Sequence, residues 1–148
     1  MNITKTLTES QFKQINKLWN DEYPLKLKDR FKILLDDCEN YTHYLIEDEA
    51  KNILAWAVAF EKENETRFSI IVQSSQKGKG LGGMLLKYLK EEEREIYGWV
   101  IDHNNDKKAN GENYQSPLSF YVKQGFDILH DIRIDNDLLN AVKIKFRR

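Results

Sequence analysis

Three strand-like segments follow one another between residues 42 and 72, and they constrain the fold more than any other feature of the chain. Ile53 to Phe60 is entirely apolar, and it lies between the shorter segments Thr42 to Ile46 and Arg67 to Val72. The polar connections between them are short, whereas parallel strands need crossovers of about a dozen residues or more. This part of the sequence therefore predicts an antiparallel meander.

The chain before the meander predicts one strand and two helices. Ile3 to Leu7 alternates between apolar and polar residues, as a strand does. Thr8 and Gln11 have the spacing of a capping box at the start of a first helix. The apolar residues of a second amphipathic helix recur at helical intervals between Leu27 and Cys38.

The chain after the meander alternates between helices and strands. A helix over Leu81 to Leu89 precedes the strand Tyr97 to Ile101. Ser116 and Pro117 are favourable at the start of a further helix, and Gly125 is favourable at its end. Two alternating strands complete the chain, over residues 128–134 and 142–146.

The resulting order, β-α-α-β-β-β-α-β-α-β-β, predicts a single mixed α/β (α+β) domain over residues 1–148. Its central sheet is expected to have about seven strands and to be mostly antiparallel, with four helices packed on it. A chain of 148 residues has the size of one domain, since domains are commonly about 100–150 residues long.

Composition and charge exclude several classes of protein. Lys and Arg number 23 and Asp and Glu 24, and the net charge of −1 comes without a basic stripe, which argues against nucleic-acid binding. No apolar run approaches the ~18 residues of a membrane span, and the first ten residues lack the apolar region of a secretory signal. Cys38 stands alone, so we expect no internal disulfide and a cytoplasmic location. No cluster of His, Cys or Asp has metal-ligand spacing, so no metal is expected.

A glycine-rich segment, Lys77 to Gly83, carries the clearest functional signal. Glycine permits tight turns and lets a ligand approach the backbone without a Cβ in the way. Free N–H groups and the positive end of the dipole at a helix start attract anions. Lys77 and Lys79 add positive charge on either side of Gly78. A phosphate or pyrophosphate ligand is the natural interpretation.

Two other phosphate-binding motifs fit this segment poorly. A mononucleotide P-loop requires a Lys and then a Ser or Thr after its last glycine, and neither follows Gly83. Gly78, Gly80 and Gly83 match the dinucleotide fingerprint G-x-G-x-x-G, and Asp102 follows the next strand, where a ribose-binding carboxylate belongs. However, five polar residues separate the glycines from the preceding strand, and the chain after Asp102 is too short for a doubly wound sheet.

The whole pattern resembles the GCN5-related N-acetyltransferase (GNAT) superfamily. Val72 to Gly82 is similar to its motif A, a [RQ]-x-x-G-x-[GA] loop between the fourth strand and the third helix, with Lys77 in place of the usual Arg or Gln. Phe120 to Phe126 is similar to the end of its motif B, FY-x-x-x-GF. The order of elements also agrees, so the resemblance covers essentially all 148 residues and implies a GNAT-like sheet.

The resemblance implies a cofactor, acetyl-CoA, with CoA as the released product. In the family, the pyrophosphate lies on the glycine loop and the pantetheine arm runs beside the fourth strand. Carried over to this chain, the pantetheine arm pairs with the backbone of Val72 and Ser74. The amides that hold the pyrophosphate are then those of Lys77, Gly78, Lys79, Gly80, Leu81 and Gly82.

The resemblance also implies the reaction, in which an amine attacks the thioester directly. Tyr121 matches the family's general acid, which protonates the departing thiolate, and a phenol with an ordinary pKa of about 10 is protonated at neutral pH. The motifs name no general base. Asp102 and His103 are candidates because they end the fifth strand, and a water chain to a more distant carboxylate is the alternative.

The acceptor is expected to be a small-molecule or peptide amine. Its class depends on the first two helices and the late loops, while contact of the long polar loop Asn104 to Asn113 with either the acceptor or the cofactor stays open. Tyr114 stands where the family often has Asn, a departure that affects the wall of the acceptor site. The resemblance also allows a homodimer through the C-terminal strands. Two other functions stay open: a non-catalytic CoA-binding module on the same fold, and a dinucleotide-binding oxidoreductase.

Overall fold

The computed structural model describes residues 1–36 and 38–148, and it places helices on both faces of a seven-stranded sheet. The strands are β1 (Asn2–Thr4), β2 (Glu39–Glu47), β3 (Ile53–Lys62), β4 (Glu65–Val72), β5 (Glu95–Val100), β6 (Asp127–Asp135) and β7 (Asn140–Arg147). The α-helices are α1 (Glu9–Glu22), α2 (Phe31–Leu34), α3 (Leu81–Glu92) and α4 (Leu118–Lys123). The order of the elements along the chain is the predicted one.

The sheet consists of two antiparallel halves. Its strand order is β1-β2-β3-β4-β5-β7-β6. β1 to β4 are antiparallel neighbours, which confirms the predicted meander, and β5, β7 and β6 form the second antiparallel half. β4 and β5 join the halves as a parallel pair, whose ladder contains the residue pair Arg67 and Tyr97.

Each face of the sheet has its own hydrophobic core, because successive side chains of a strand point to opposite faces. Trp56 and Ala57 are neighbours on β3 and both are fully buried, but they belong to different cores. Trp56 packs with Ile15 of α1 and Phe31 of α2. Ala57 lies in the core that includes Leu85 of α3. Burial on both faces explains why β3 is apolar along most of its length.

The first helix begins at the predicted capping box. The hydroxyl of Thr8 accepts a hydrogen bond from the Gln11 N–H at 3.1 Å, and the Gln11 side-chain oxygen accepts one from the Thr8 N–H at 2.9 Å. These two bonds satisfy N–H groups that a helix start otherwise leaves without partners.

The second predicted helix is much shorter than expected. Leu25–Leu27 forms a 3-10 turn, Asp29 has a left-handed φ of +61°, and α2 is a single turn. The Asn20 side chain accepts a hydrogen bond from the Asp29 N–H and donates one to the Asp29 carboxylate, both at 2.8 Å, so side-chain bonds hold the interruption. Within the described residues, three helices are longer than a single turn, instead of the predicted four. None of the helices in this part of the chain is long and apolar enough to cross a membrane.

Two other elements differ from the prediction at their boundaries. β1 ends at Thr4 instead of Leu7, because the Thr4 hydroxyl donates a hydrogen bond to the Thr6 carbonyl at 2.7 Å and turns the chain. α4 begins at Leu118, whose N–H donates to the Ser116 hydroxyl at 3.3 Å. After α4, Gly125 has a left-handed φ of +90°, as expected of a helix end.

Candidate active site

β4 and β5 separate beyond their paired position, and a cavity lies in the gap between them. Arg67 and Tyr97 are paired, and no further pair joins the two strands among the described residues. The cavity has a volume of about 770 Å³, within the range of about 300–1,000 Å³ that small-molecule and cofactor sites occupy. Its wall includes Ser69, Ile70, Ile71 and Val72 of β4 and Gly98, Trp99 and Val100 of β5.

The glycine loop reaches this cavity at the start of α3. Gly78 and Gly80 have left-handed φ values of +81° and +79°, a region that favours glycine over other residues. A Cβ at either position would meet nothing within 4 Å, so open space lies in front of the loop. Because the first turn of a helix leaves N–H groups without intrahelical partners, the loop is suited to bind an anion.

Five of the six residues predicted to hold the pyrophosphate line the cavity. They are Lys77, Gly78, Gly80, Leu81 and Gly82. The sixth, Lys79, is not part of the described lining, and its ammonium donates a hydrogen bond to the Gln76 side chain at 3.3 Å. The N–H of Lys77 donates to the Ser74 carbonyl at 3.3 Å, so this amide already has a partner within the chain.

Val72 borders the gap at the end of β4. The N–H of the next residue, Gln73, donates to the Leu54 carbonyl on the β3 side at 2.9 Å. Successive N–H groups of an extended strand point in opposite directions. The Val72 N–H is therefore directed at the gap, in keeping with its predicted contact with a ligand there.

Ser74 is held by a buried polar cluster instead. Its N–H donates to the Glu22 carboxylate at 2.9 Å, and its hydroxyl donates to the same carboxylate. The ammonium of Lys108 lies 3.2 Å from the Glu22 carboxylate, and both side chains are buried. With its carbonyl bonded to Lys77, both backbone groups of Ser74 have partners, so the predicted pairing with pantetheine would require these bonds to be replaced.

Tyr121 lies on α4 and lines the cavity on the α3 and α4 side of the sheet. Its ring centroid is 5.7 Å from that of Phe68 and 5.4 Å from that of Phe126. Burial raises the pKa of Tyr121 above its ordinary value of 10.0, so the phenol is protonated at neutral pH. The Tyr121 hydroxyl has no hydrogen-bond partner among residues 1–36 and 38–148, so its proton is available to a ligand.

Asp102 and His103 are held outside this cavity by other partners. Asp102 forms two hydrogen bonds with Arg133, at 2.8 and 3.0 Å, and this contact lowers the pKa of its carboxyl. The Nδ1 of His103 accepts a hydrogen bond from the Asn105 N–H at 3.1 Å, and its Nε2 lies 3.9 Å from Asp106. The structure thus brings Tyr121 to the cavity but neither candidate base, whose roles remain predictions. Over the described chain, no group of three His, Cys, Asp or Glu residues could hold a metal ion.

The sequence model described as the acetyltransferase (GNAT) domain matches residues 39–128. The match runs from the start of β2 into β6, so it includes the meander, the glycine loop and Tyr121. The chain belongs to the GNAT acetyltransferase family. The predicted resemblance is thereby confirmed.

Solved structures share the fold of this GNAT chain over almost its whole length. ElaA from Escherichia coli has a TM-score of 0.70 at 13% identity, and the match covers 98% of this chain and 99% of that one. The protein smu.2055 from Streptococcus mutans UA159 has a TM-score of 0.67 at 16% identity and 99% coverage of both chains. A GNAT superfamily phosphinothricin acetyltransferase from Sinorhizobium meliloti, in complex with AcCoA, has a TM-score of 0.61 at 15% identity, covering 99% of this chain and 89% of that one. No curated protein matches the chain.

The position at which this GNAT chain departs from the family's usual Asn lies in the cavity wall. Tyr114 lines the cavity, and its ring centroid is 6.1 Å from that of Tyr23. Burial raises the pKa of Tyr114 well above its ordinary value. The wall at this point is therefore aromatic and neutral.

Glu22 is a residue of the GNAT cavity that sequence reasoning missed, although a signal for it exists. The buried residues of α1 are Ile15, Leu18, Trp19 and Glu22, which lie on one helical face. A carboxylate on the apolar face of a helix indicates a buried partner. The partner, Lys108, gave no comparable signal, because it lies in a polar loop 86 positions away along the chain.

Proposed function

We propose that this chain is an acetyl-CoA-dependent N-acetyltransferase that transfers an acetyl group to a primary amine in a ternary complex. The observation that carries the proposal is one cavity that contains the glycine loop, the gap between β4 and β5, and the buried Tyr121. Two similar structures support the finer parts: the Sinorhizobium meliloti acetyltransferase binds AcCoA, and another neighbour is a spermidine N-acetyltransferase from Vibrio cholerae.

The glycine loop fits the pyrophosphate of acetyl-CoA. The space in front of Gly78 and Gly80 would be occupied by a Cβ in any other residue, and backbone N–H groups at the start of α3 suit two phosphate groups. The residues proposed to hold the pyrophosphate are Lys77, Gly78, Lys79, Gly80, Leu81 and Gly82. When bound, acetyl-CoA supplies an acetyl group activated as a thioester.

Val72 and Tyr121 are proposed to act on opposite ends of the reacting thioester. The Val72 N–H, directed at the gap, stabilises negative charge on the carbonyl oxygen during attack. The Tyr121 hydroxyl donates its proton to the sulfur as the carbon–sulfur bond breaks, and its raised pKa means that the phenol carries this proton at neutral pH. Holding amine and thioester together in one cavity contributes much of the rate.

Three parts of the proposal rest mainly on the sequence. Asp102 or His103 receives the amine proton through a chain of water molecules, since neither side chain lines the cavity. The lone Cys38 supports a cytoplasmic location. A homodimer through β6 and β7 is proposed from family resemblance.

Thermal unfolding with acetyl-CoA, CoA and NADH in parallel tests the cofactor. A ligand at about 100 times its Kd stabilises the folded state by roughly 2.7 kcal/mol, which is a rise in Tm of about 5–10 °C for a chain of this size. We expect a rise with acetyl-CoA and CoA and none with NADH. A rise with NADH alone would instead favour the dinucleotide-binding oxidoreductase.

Release of the CoA thiol in the presence of a panel of amines then tests the reaction. Turnover that depends on both acetyl-CoA and an amine, with an N-acetylated product identified by mass, is the expected result. CoA binding without turnover of any amine would favour the non-catalytic module. Loss of both binding and turnover would contradict the proposal altogether.

A further inference from the structure

The cavity passes through the sheet, so its two ends lie on different faces. Phe68 of β4 contacts Tyr121 on the face that carries α3 and α4. The neighbouring residues Arg67 and Ser69 point to the other face, where the Ser69 hydroxyl lies 3.0 Å from that of Tyr23 at the end of α1. We call the end of the cavity on this face, which is bounded by α1, α2, β3 and β4, the acceptor end. It lies across the sheet from the proposed cofactor loop.

Charged side chains at the acceptor end are mostly cationic. Across the described lining, the charged residues are Glu22, Arg30, Lys62, Arg67 and Lys77, of which Lys77 belongs to the glycine loop. Arg67 is neutralised by Glu65 at 2.9 Å and by Glu63 at 3.2 Å. Arg30 and Lys62, by contrast, have no ion-pair partner among the described residues.

The carboxylate of the cavity wall is already occupied. Glu22 accepts hydrogen bonds from the N–H and the hydroxyl of Ser74 and lies 3.2 Å from the Lys108 ammonium. A second positive charge at Glu22 would have to displace that ammonium. Within the described lining, every carboxylate is therefore already paired, whereas two cations are not. This arrangement disfavours a polycationic acceptor.

Arg30 and Lys62 lie in a setting that strengthens their attraction for an anion. Both are half-buried, and their neighbours in the cavity wall include Leu27, Leu34 and Phe60. Charges interact more strongly where apolar walls limit access of water. An anionic group that reached Arg30 or Lys62 would pair with a cation that has no competing partner in the described chain.

We propose that the acceptor carries an anionic group, a carboxylate or phosphate, in addition to its amine, and that Arg30 and Lys62 bind this group. The inference rests on the proposed function, since it names the substrate class of the same site. The amine lies at the gap near Val72, and the anion extends toward the acceptor end. Charge thus selects an amino-carboxylate or an acidic peptide terminus over a polyamine.

The span of the cavity sets the length of this acceptor. Lys62 is paired with Glu65, seven residues before Val72 on β4, which is about 23 Å at ~3.3 Å per residue. Long side chains such as those of Arg30 and Lys62 cover part of that span, so the acceptor must be extended, with its amine and its anion at opposite ends. A tripeptide with a C-terminal acidic side chain and a linear amino acid of eight carbons both meet this requirement.

Pairs of acceptors matched in length and opposite in charge test the inference. The first pair is 8-aminooctanoate and 1,8-diaminooctane; the second is alanyl-alanyl-glutamate amide and alanyl-alanyl-lysine amide. We expect kcat/KM to be at least about tenfold higher for the carboxylate member of a pair. The first pair represents small-molecule acceptors and the second represents peptide acceptors. The pair with the higher kcat/KM therefore also shows which of the two kinds of acceptor the protein uses.

Variants of the two cations assign the preference to this site. In the double variant Arg30→Gln/Lys62→Gln, the carboxylate preference should fall to near unity while the Tm rise with acetyl-CoA is kept. Lys28→Gln is the matched control, because Lys28 is exposed, belongs to the same segment as Arg30 and is not part of the described lining. It should leave the preference unchanged.

Each contrary result has a separate meaning. Equal or faster turnover of the diamine and the lysine peptide would overturn the inference while upholding N-acetyl transfer. A carboxylate preference that survives in the double variant would also overturn it, because the anion would then bind elsewhere. No turnover of any of the four probes overturns the inference, and the acetyl-CoA thermal shift together with the wider amine panel then decides separately whether the proposed function stands.

Discussion

The hydroxyl of Tyr121 combines three properties that a proton donor in this cavity needs. It lies on the cavity wall, burial keeps it protonated by raising its pKa, and within the described chain no hydrogen bond occupies it. A solvent-exposed tyrosine would meet the second condition but not the first. The aromatic rings of Phe68 and Phe126 hold its ring in place from two sides.

Replacement of this tyrosine tests its role at the scale of one residue. Tyr121→Phe should lower kcat by roughly 10²-fold and leave the acetyl-CoA affinity nearly unchanged, because the ring and its contacts are kept. Steady-state kinetics and an acetyl-CoA titration measure the two quantities. Tyr88→Phe is the control, since Tyr88 lies on α3 outside the described lining of the main cavity. An unchanged kcat in Tyr121→Phe would remove this residue from the mechanism.

At the scale of an element, the glycines at the start of α3 have two different roles, one in backbone conformation and one in packing. Gly78 and Gly80 are needed for their positive φ and for the open space in front of them, and no packed neighbour limits them. Gly82, two residues after Gly80, is different: a Cβ there would lie 3.2 Å from the ring of Phe120, so packing against α4 favours glycine.

Gly80→Ala should weaken acetyl-CoA binding by about tenfold or more, which is about 1.4 kcal/mol, because the new Cβ would enter the open space in front of the loop. The left-handed φ of +79° should also reduce the free energy of unfolding by about 1–2 kcal/mol. Gly111→Ala is the matched control: Gly111 has a φ of +86° and open space around it, but it is not part of the described lining.

Calorimetric titration with acetyl-CoA and urea unfolding separate the two effects. Both variants should lose similar stability, and Gly80→Ala alone should lose affinity. Equal affinities in the two variants would show that the loop does not hold the cofactor.

At the scale of the whole molecule, the stability of the sheet is linked to pH through a buried imidazole. His43 on β2 is 3% exposed, and its Nδ1 accepts a hydrogen bond from the indole N–H of Trp56 on β3 at 3.1 Å. Burial lowers the pKa of His43 from its ordinary value of 6.5 to about 4. Between these two values the unfolded chain binds a proton that the folded chain does not.

Folding stability should therefore be present in full above about pH 6.5 and fall as the pH drops toward 4. The loss attributable to His43 between pH 7.5 and pH 5 should be about 2 kcal/mol, measured by urea unfolding at the two pH values. His43→Asn is the comparison, because its side-chain oxygen can accept the Trp56 bond without titrating. If His43→Asn loses as much stability on acidification as the wild type, another group is responsible.

The folding pattern was predictable where it depends on neighbours along the chain. The apolar period of β2 to β4, the capping box of Thr8 and the glycine loop are local, and the structure has all three. The second helix was predicted too long because its apolar period continues through Asp29. The side chain of Asn20, nine positions earlier, interrupts it there by hydrogen bonding.

By itself, the sequence determined the order of strands and helices, the family and the presence of Tyr121 and the glycine loop, because periodicity and short motifs specify these. Only the tertiary structure decided which charged groups meet at the cavity. Asp102 follows its strand as predicted but pairs with Arg133, 31 positions away, while Glu22 joins Lys108 across 86 positions. Arg30 and Lys62 likewise share a cavity wall. Contacts of this kind arise from the path of the chain in space, so no local pattern in the sequence reports them.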